Sequence, residues 1–228
     1  MPAAPRPLNE EERLAILARY RILDTTGEAA YDDVVALAAA IVNVPVALVS
    51  LVDRDRQWFK ARVGLDVEET PRAMSFCAWA VYEDANLVVA DATEDERFAD
   101  NPLVQGELGV RFYAGVPLRT PEKAVLGTLC VIDRERREIT PEQLAHLERL
   151  ASLIMHVIES RRAADELAEA LERTRVLGEM IPVCAYCRRI RDDEQFWHTL
   201  EKYLETHAGT QVSHGICPAC ASQHFADL

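Results

Sequence analysis

The chain contains no run of about 18 consecutive apolar residues, so no segment reads as a membrane-spanning helix. Its longest apolar stretch, "VVALAAAIVNVPVALVSLV", is interrupted by Asn43 and Pro45. The opening "MPAAPRPLNEEERL" has no apolar core of signal-peptide length, and a cytoplasmic location is expected. Positive charge is scarce. Lys and Arg number 25 against 38 Asp and Glu, a formal net charge of -13. Such a surface repels phosphate backbones and anionic membrane, so neither nucleic acid nor membrane is expected as a partner. No P-loop, no GGDEF-like stretch and no phosphodiesterase motif is found, and the chain is expected not to be an enzyme. His146 and His156 stand in "HLERL" and "HVIES", without the proline of a His-Glu-x-x-x-Pro phosphoacceptor, and read as solvated helix residues.

What is present is ordinary globular material. Of 228 residues, 49% are apolar and 28% charged, enough for one full-size domain and something smaller. Asn9 followed by Glu12 is a capping-box pattern, continued by Leu14, Leu17, Ala18 and Ile22 at helical spacing. Tyr31, Val34, Val35, Ala38 and Ile41 predict a second helix that Pro45 ends. The rhythm then turns to strands: "VALVSLVD", "QWFKARVG", "NLVVAD", "VRFYAGVPLRT" and "AVLGTLCVIDR", with a short helix starting at Ser75 between the second and third. This order predicts an α+β domain, one antiparallel sheet of five strands with its helices gathered on one face.

Residues 8–160 resemble the GAF domain, a small-molecule and regulatory module of bacterial signalling proteins. The resemblance is carried by "ALVSLVDRDRQWFKARVGL", "ETPRAMSFCAWAV", "VVADATEDERFADNPLV", "RFYAGVPLRTPE" and "LGTLCVIDRERREITPEQ". It implies a central antiparallel sheet of five or six strands, helices on one face, and a pocket roofed by short helices and loops on the other. It does not fix a ligand. The chromophore-cysteine motif of phytochromes and the Asn-Lys-Phe signature of cyclic-nucleotide binders are both absent.

For an unidentified small-molecule ligand the candidate residues are Phe76, Cys77, Trp79, Phe98, Arg111, Phe112 and Tyr113, aromatics plus one cation suited to a planar or anionic molecule. Packing of the aromatics in the core, with Arg111 paired to Asp91 or Asp100, is the plainer reading. Cys77 lies near where the free methionine sulfoxide reductases, GAF enzymes themselves, keep one of their cysteines. The loop "DNPLVQGELGVRF", where a partner thiol is wanted, has none, and Cys130 reads as a small core residue.

Thr140, Pro141 and Gln143 open a long helix with a capping box. Its apolar or small positions alternate by three and four through Leu150, Leu153, Val157, Ser160, Ala164, Leu167, Leu171 and Thr174, which predicts a parallel coiled coil and a homodimer. The tail holds four of the six cysteines, as Cys184-x-x-Cys187, a spacer of 29 residues, and Cys217-x-x-Cys220. Two such pairs supply the four thiolates of a tetrahedral structural Zn²⁺ site. His214 is expected to donate its ring N–H to one of those thiolates. Thiol redox chemistry and an iron–sulfur cluster stay open as alternatives. "DDEQFWHTLEKYLETHAG" within the spacer predicts a helix with Phe196, Trp197, Leu200, Tyr203 and Leu204 on one face. The expected domains are therefore a GAF domain at 8–140, a helical linker at 141–180 and a zinc module at 181–228. The expected role is sensing in signal transduction with a signalling protein as partner. The rivals are a redox enzyme or switch acting through Cys77 or the C-x-x-C pairs, and a ligand-free dimerising scaffold.

Overall fold

A computed structural model of the protein describes residues 2–178, 182–192, 194–207 and 213–224. The chain divides into two compact units, Met1–Glu166 and Leu167–Leu228.

The first unit is built on a six-stranded sheet in which every neighbouring pair is antiparallel. The strands are β1 (Val46–Val52), β2 (Arg56–Val63), β3 (Glu69–Pro71), β4 (Leu87–Val89), β5 (Phe112–Arg119) and β6 (Val125–Asp133), in the order β3-β2-β1-β6-β5-β4. Five strands were expected; the extra one is β3, three residues ending in proline, too short and too polar to show a period of two. Strict alternation sorts the side chains of the central strands. Ala47, Val49, Leu51, Phe112, Ala114, Val116, Leu129 and Val131 face one side. Val46, Leu48, Val52, Tyr113 and Cys130 face the other.

Helices α1 (Glu10–Arg19) and α2 (Ala29–Val42) cover the first side together with the opening turns of α5, the helix Pro141–Gly178. Helix α3 (Phe76–Glu83) packs on the opposite side against β1, β5 and β6, which corrects the reading from element order that gathered all helices on one face and agrees with the short helices that the GAF resemblance implies there. A short helix α4 (Pro102–Gln105), whose Asn101 cap accepts the amide of Leu103, completes that side. A sheet with both faces buried needs cover on both, which is why β1 is apolar at six of its seven positions and buried at all seven.

The two expected capping boxes differ in outcome. At α5, Thr140 Oγ1 accepts from the Gln143 amide at 3.1 Å and Gln143 Oε1 accepts from the Thr140 amide at 3.1 Å. At α1, Asn9 makes no side-chain cap bond, because its backbone at φ -100° and ψ 27° is not the extended conformation that aims a cap at the helix amides.

The seam expected along α5 is corrected in its first half. Leu150 is 8% exposed and sits with Leu147, Ala151, Ile154, Met155 and Ile158 in the core of the first unit, where Val157 packs half-buried beside them. Leu153, 53% exposed, lies outside that core. A 38-residue helix with apolar residues on two adjacent stripes docks one of them on its own domain. A fully buried Leu or Ile there contributes about 1.5–3 kcal/mol.

In the second unit, β7 (Ile190–Arg191) and β8 (Trp197–His198) form an antiparallel hairpin, followed by α6 (Leu200–His207) and α7 (Pro218–His224). The helix expected from Asp192 therefore begins only at Leu200, and Phe196 and Trp197 belong to the hairpin. Asp192 reverses the chain. Its carboxylate accepts the Phe196 amide at 2.8 Å and its carbonyl the Gln195 amide at 3.1 Å, with Gln195 at φ 72°. No described helix is long and apolar enough to cross a membrane.

Candidate functional site

The site forms where α3 meets the sheet. Ser75 caps α3 by accepting the Ala78 amide at 3.0 Å, and its hydroxyl also donates to the Gln57 side chain. This fixes the start of the helix and turns Cys77 down onto β6. There the alternation that buries Leu129 and Val131 on the face covered by α1 and α2 leaves Thr128 and Cys130 facing α3. Cys77 Sγ and Cys130 Sγ lie 3.7 Å apart. Tyr113 joins them from β5. A Cβ on Gly115, two residues along the same face, would come within 2.2 Å of the Tyr113 hydroxyl, so only glycine lets that ring lie flat along the strand. The hydroxyl thereby donates to Cys77 Sγ at 3.3 Å and lies 3.5 Å from Thr128 Oγ1.

Both thiols are buried, at 1% and 0% exposure. Burial pushes Cys77 up. The thiol of Cys130 and the hydroxyls of Ser50, Thr128 and Tyr113 favour its thiolate more strongly, and the net direction is down. Cys130 moves the other way, held well above the ordinary thiol range by its hydrogen bond to Cys77 and by burial. Tyr113 is likewise kept protonated, by burial first and by the charge of the thiols next. The pair thus holds one acidic thiol beside one that keeps its proton, with a phenol donating to the acidic one.

Cys77, Tyr113 and Phe76 also line a cavity of 50 Å³ between α3 and the sheet, closed otherwise by Leu48, Phe59, Val110 and neighbouring aliphatics. Val67, 48% exposed, stands at its rim. One of its polar lining groups, the Thr70 hydroxyl, is buried without a hydrogen-bond partner. A volume of this size admits one or two water-sized molecules. A planar cofactor needs several times as much.

The other expected ligand residues are elsewhere. Phe98 stacks on Phe76 with ring centroids 3.9 Å apart, and Trp79 meets Phe98 edge-on at 6.1 Å, so both belong to the packing beneath α3. Phe112 is on the opposite face of the sheet, one residue out of phase with Tyr113. Arg111 does not pair with Asp91 or Asp100 as expected. It donates to the carbonyls of Val104 and Val110 at 3.0 and 3.1 Å, holding the loop before β5, while Asp91 accepts from Thr93. A wider open groove of 690 Å³ runs beside β2, the loop before α2 and the first turn of α2. Its Lys60, Arg62 and Asp24 are already tied to Glu28, Glu68 and Arg56, so it presents a paired surface where the dithiol presents a reactive one.

The tail cysteines stand as two separate pairs. The Cys187 and Tyr186 amides and the Cys187 side chain bond to Cys184 and lower its thiol, and the Cys220 amide lies 3.5 Å from Cys217 Sγ. Among the described residues no three His, Cys, Asp or Glu converge to hold one metal. His214 Nε2 is 3.9 Å from Glu201 Oε1, a carboxylate where a thiolate was expected.

The GAF domain model matches residues 26–158. The chain belongs to the GAF domain family. The domain recurs in solved structures at a level that speaks for the fold alone. A GAF domain from an Acinetobacter phosphoenolpyruvate-protein phosphotransferase aligns with TM-score 0.50 and 21% identity, covering 68% of this chain and 98% of that one. The free methionine-R-sulfoxide reductase of Neisseria meningitidis aligns with TM-score 0.50 and 19% identity, covering 68% and 90%. A sequence relative is nearer: a cyclic di-GMP phosphodiesterase of Pseudomonas aeruginosa is 42% identical over 180 residues, 77% of this chain. This GAF chain spans 31% of that protein's length. The expectation that the chain is not an enzyme falls with this finding. It rested on missing motifs, and motifs missing from a stretch equal to a third of a phosphodiesterase say nothing against activity.

The residue that sequence reasoning missed is Cys130 as the partner of Cys77. The two are 53 positions apart, on different elements. The signal was there in the alternation of β6, which puts Cys130 and not Leu129 on the face roofed by α3.

Proposed function

We propose that this GAF protein is a sensory and regulatory component that governs cyclic di-GMP turnover. The observation that carries the reading is the 42% identity to a cyclic di-GMP phosphodiesterase over 180 residues, a longer stretch than the 26–158 that the domain model spans. Shared sequence beyond the domain argues for a shared use of the domain. The input side is the small cavity under α3, where Phe76, Cys77, Tyr113 and the unpartnered Thr70 hydroxyl would meet a molecule of a few atoms. The test is cellular cyclic di-GMP, measured by mass spectrometry with and without the gene. The level is expected to rise on deletion and to return when the gene is restored. Equal levels in all three strains would overturn the reading.

Two assembly features accompany it. Leu167 and Leu171 on α5 are 61% and 62% exposed, four residues apart, and support a homodimer through that helix. Glutamate at both positions is expected to give monomers by light scattering; an unchanged mass in the double variant rules the seam out. The tail is proposed to bind one structural Zn²⁺ through Cys184, Cys187, Cys217 and Cys220, drawing the two pairs together. Elemental analysis of reduced protein should find one zinc per chain, lost in Cys217→Ser; protein free of zinc after purification without chelators would refute it.

A further inference from the structure

We propose that Cys77 and Cys130 are a modification site, a buried dithiol that hydrogen peroxide oxidises to an intramolecular disulfide. The two sulfurs are 3.7 Å apart and a disulfide needs about 2.05 Å, so bond formation requires the pair to close by about 1.6 Å. Both side chains point into one space, because Cys77 comes down from α3 and Cys130 comes up from β6. Access is through the cavity, which Cys77 lines although it is 1% exposed to bulk solvent. Its 50 Å³ suits a two-oxygen molecule and excludes a bulky oxidant such as glutathione disulfide.

The chemistry balances within the pair. Cys77, the more acidic of the two, attacks as thiolate on one peroxide oxygen. An S–O bond forms, the O–O bond breaks, and the departing hydroxide takes up the proton released by Cys77 to leave as water. Cys77 is then a sulfenic acid. The Cys130 sulfur attacks the Cys77 sulfur, the S–S bond forms, the S–O bond breaks, and the second hydroxide leaves as water with the proton of Cys130. Two thiols and one peroxide become one disulfide and two waters. The Tyr113 hydroxyl, 3.3 Å from Cys77, supports the thiolate as a donor. The Ser50 hydroxyl, buried on the same face, favours that thiolate as well. Once formed, the bond staples α3 to a central strand of the sheet and changes the wall of the cavity.

The test uses the full reduced chain, treated with hydrogen peroxide under native conditions, quenched by alkylation in denaturant and digested without reductant. A cross-linked peptide joining Cys77 to Cys130, reversed by dithiothreitol, is expected to account for most of both residues. In Cys130→Ser, and independently in Cys130→Ala, the reaction should stop at the first step, and dimedone added together with the denaturant should label Cys77. Each variant is first checked to melt cooperatively. Recovery of both residues as alkylated thiols at peroxide levels that oxidise the tail cysteines would overturn the proposal. So would a folded Cys130 variant whose Cys77 takes no dimedone. The readout is independent of cyclic di-GMP, so this result and the cellular one can fail separately.

Discussion

Glu10→Ala is expected to lower the unfolding free energy at neutral pH by about 3–5 kcal/mol, the cost of removing one partner from a buried ion cluster. Glu10 and Arg13 form a two-toothed pair, with Arg13 Nε and Nη2 each 2.8 Å from a carboxylate oxygen, and Arg72 donates to the same carboxylate from the turn before α3. Arg13 and Arg72 are 2% and 6% exposed. Their remaining donors reach the carbonyls of Val125 at 3.3 Å and Asp53 at 2.9 Å, so the cluster ties α1 to β6 and to the β1–β2 turn. One Arg72 nitrogen is already buried without a partner. Deleting the carboxylate leaves two guanidiniums facing each other out of water.

The same cluster sets a pH dependence. Burial pushes Glu10 up, but hydrogen bonds from Arg13 and Arg72 and their charges outweigh it and hold the carboxyl down at about 2. In the unfolded chain it returns to about 4.3. Between those values the unfolded state binds the extra proton, so stability rises with pH across the window. The contribution, about 3 kcal/mol, is fully present above the unfolded value and disappears as pH falls toward 2. Urea titrations of wild type and Glu10→Gln at a series of pH values should converge over this range. A gap that stays constant down to pH 2 would mean that the carboxylate's charge contributes nothing.

These clusters mark the border of what the sequence could say. Some patterns closed within a few residues were legible: the Thr140–Gln143 capping box, the start of α3 at Ser75, and the apolar runs that form β1, β5 and β6. Glu10 and Arg13 share a helix face at i, i+3, yet Arg72 is 62 residues from Glu10, and no local pattern points to it. The same distance hid the Cys77–Cys130 pair. In α5 the difficulty was different. Leu150 and Leu153 both satisfy a three-four alternation, and periodicity does not tell a stripe that docks on its own domain from one that faces outward. Tail aromatics such as Phe196 fit a helical face on paper, but the Asp192 turn is a local hydrogen-bond arrangement that competes with the helix and wins.

Lys60→Met is expected to cost about 3 kcal/mol, at the lower end for a broken buried pair because the carboxylate it leaves keeps one cation. The register of β1 against β2 passes from Val49↔Ala61 to Ser50↔Phe59, which leaves Lys60 as the extra residue of a β-bulge. The bulge sends Lys60 to the same side as Ala61, under α2, where its side chain is 0% exposed. The ammonium donates to Thr25 Oγ1 at 2.8 Å, the Thr26 carbonyl at 2.7 Å and Glu28 Oε1 at 2.6 Å, with the Tyr31 ring centroid 5.0 Å away. Three donors meet three acceptors, and the loop between α1 and α2 is fixed to the sheet. Arg161 of α5 donates to the same Glu28 carboxylate, so β2, α2 and α5 share one anion. Methionine keeps the stem's volume and removes the charge, leaving the Thr26 carbonyl without its donor and Glu28 with Arg161 alone. Thermal and urea unfolding of Lys60→Met, Glu28→Gln and the double variant give the coupling directly. A coupling energy of about 1–2 kcal/mol is expected. If the two single costs simply add, the ammonium is held by Thr25 and Thr26, and Glu28 serves Arg161.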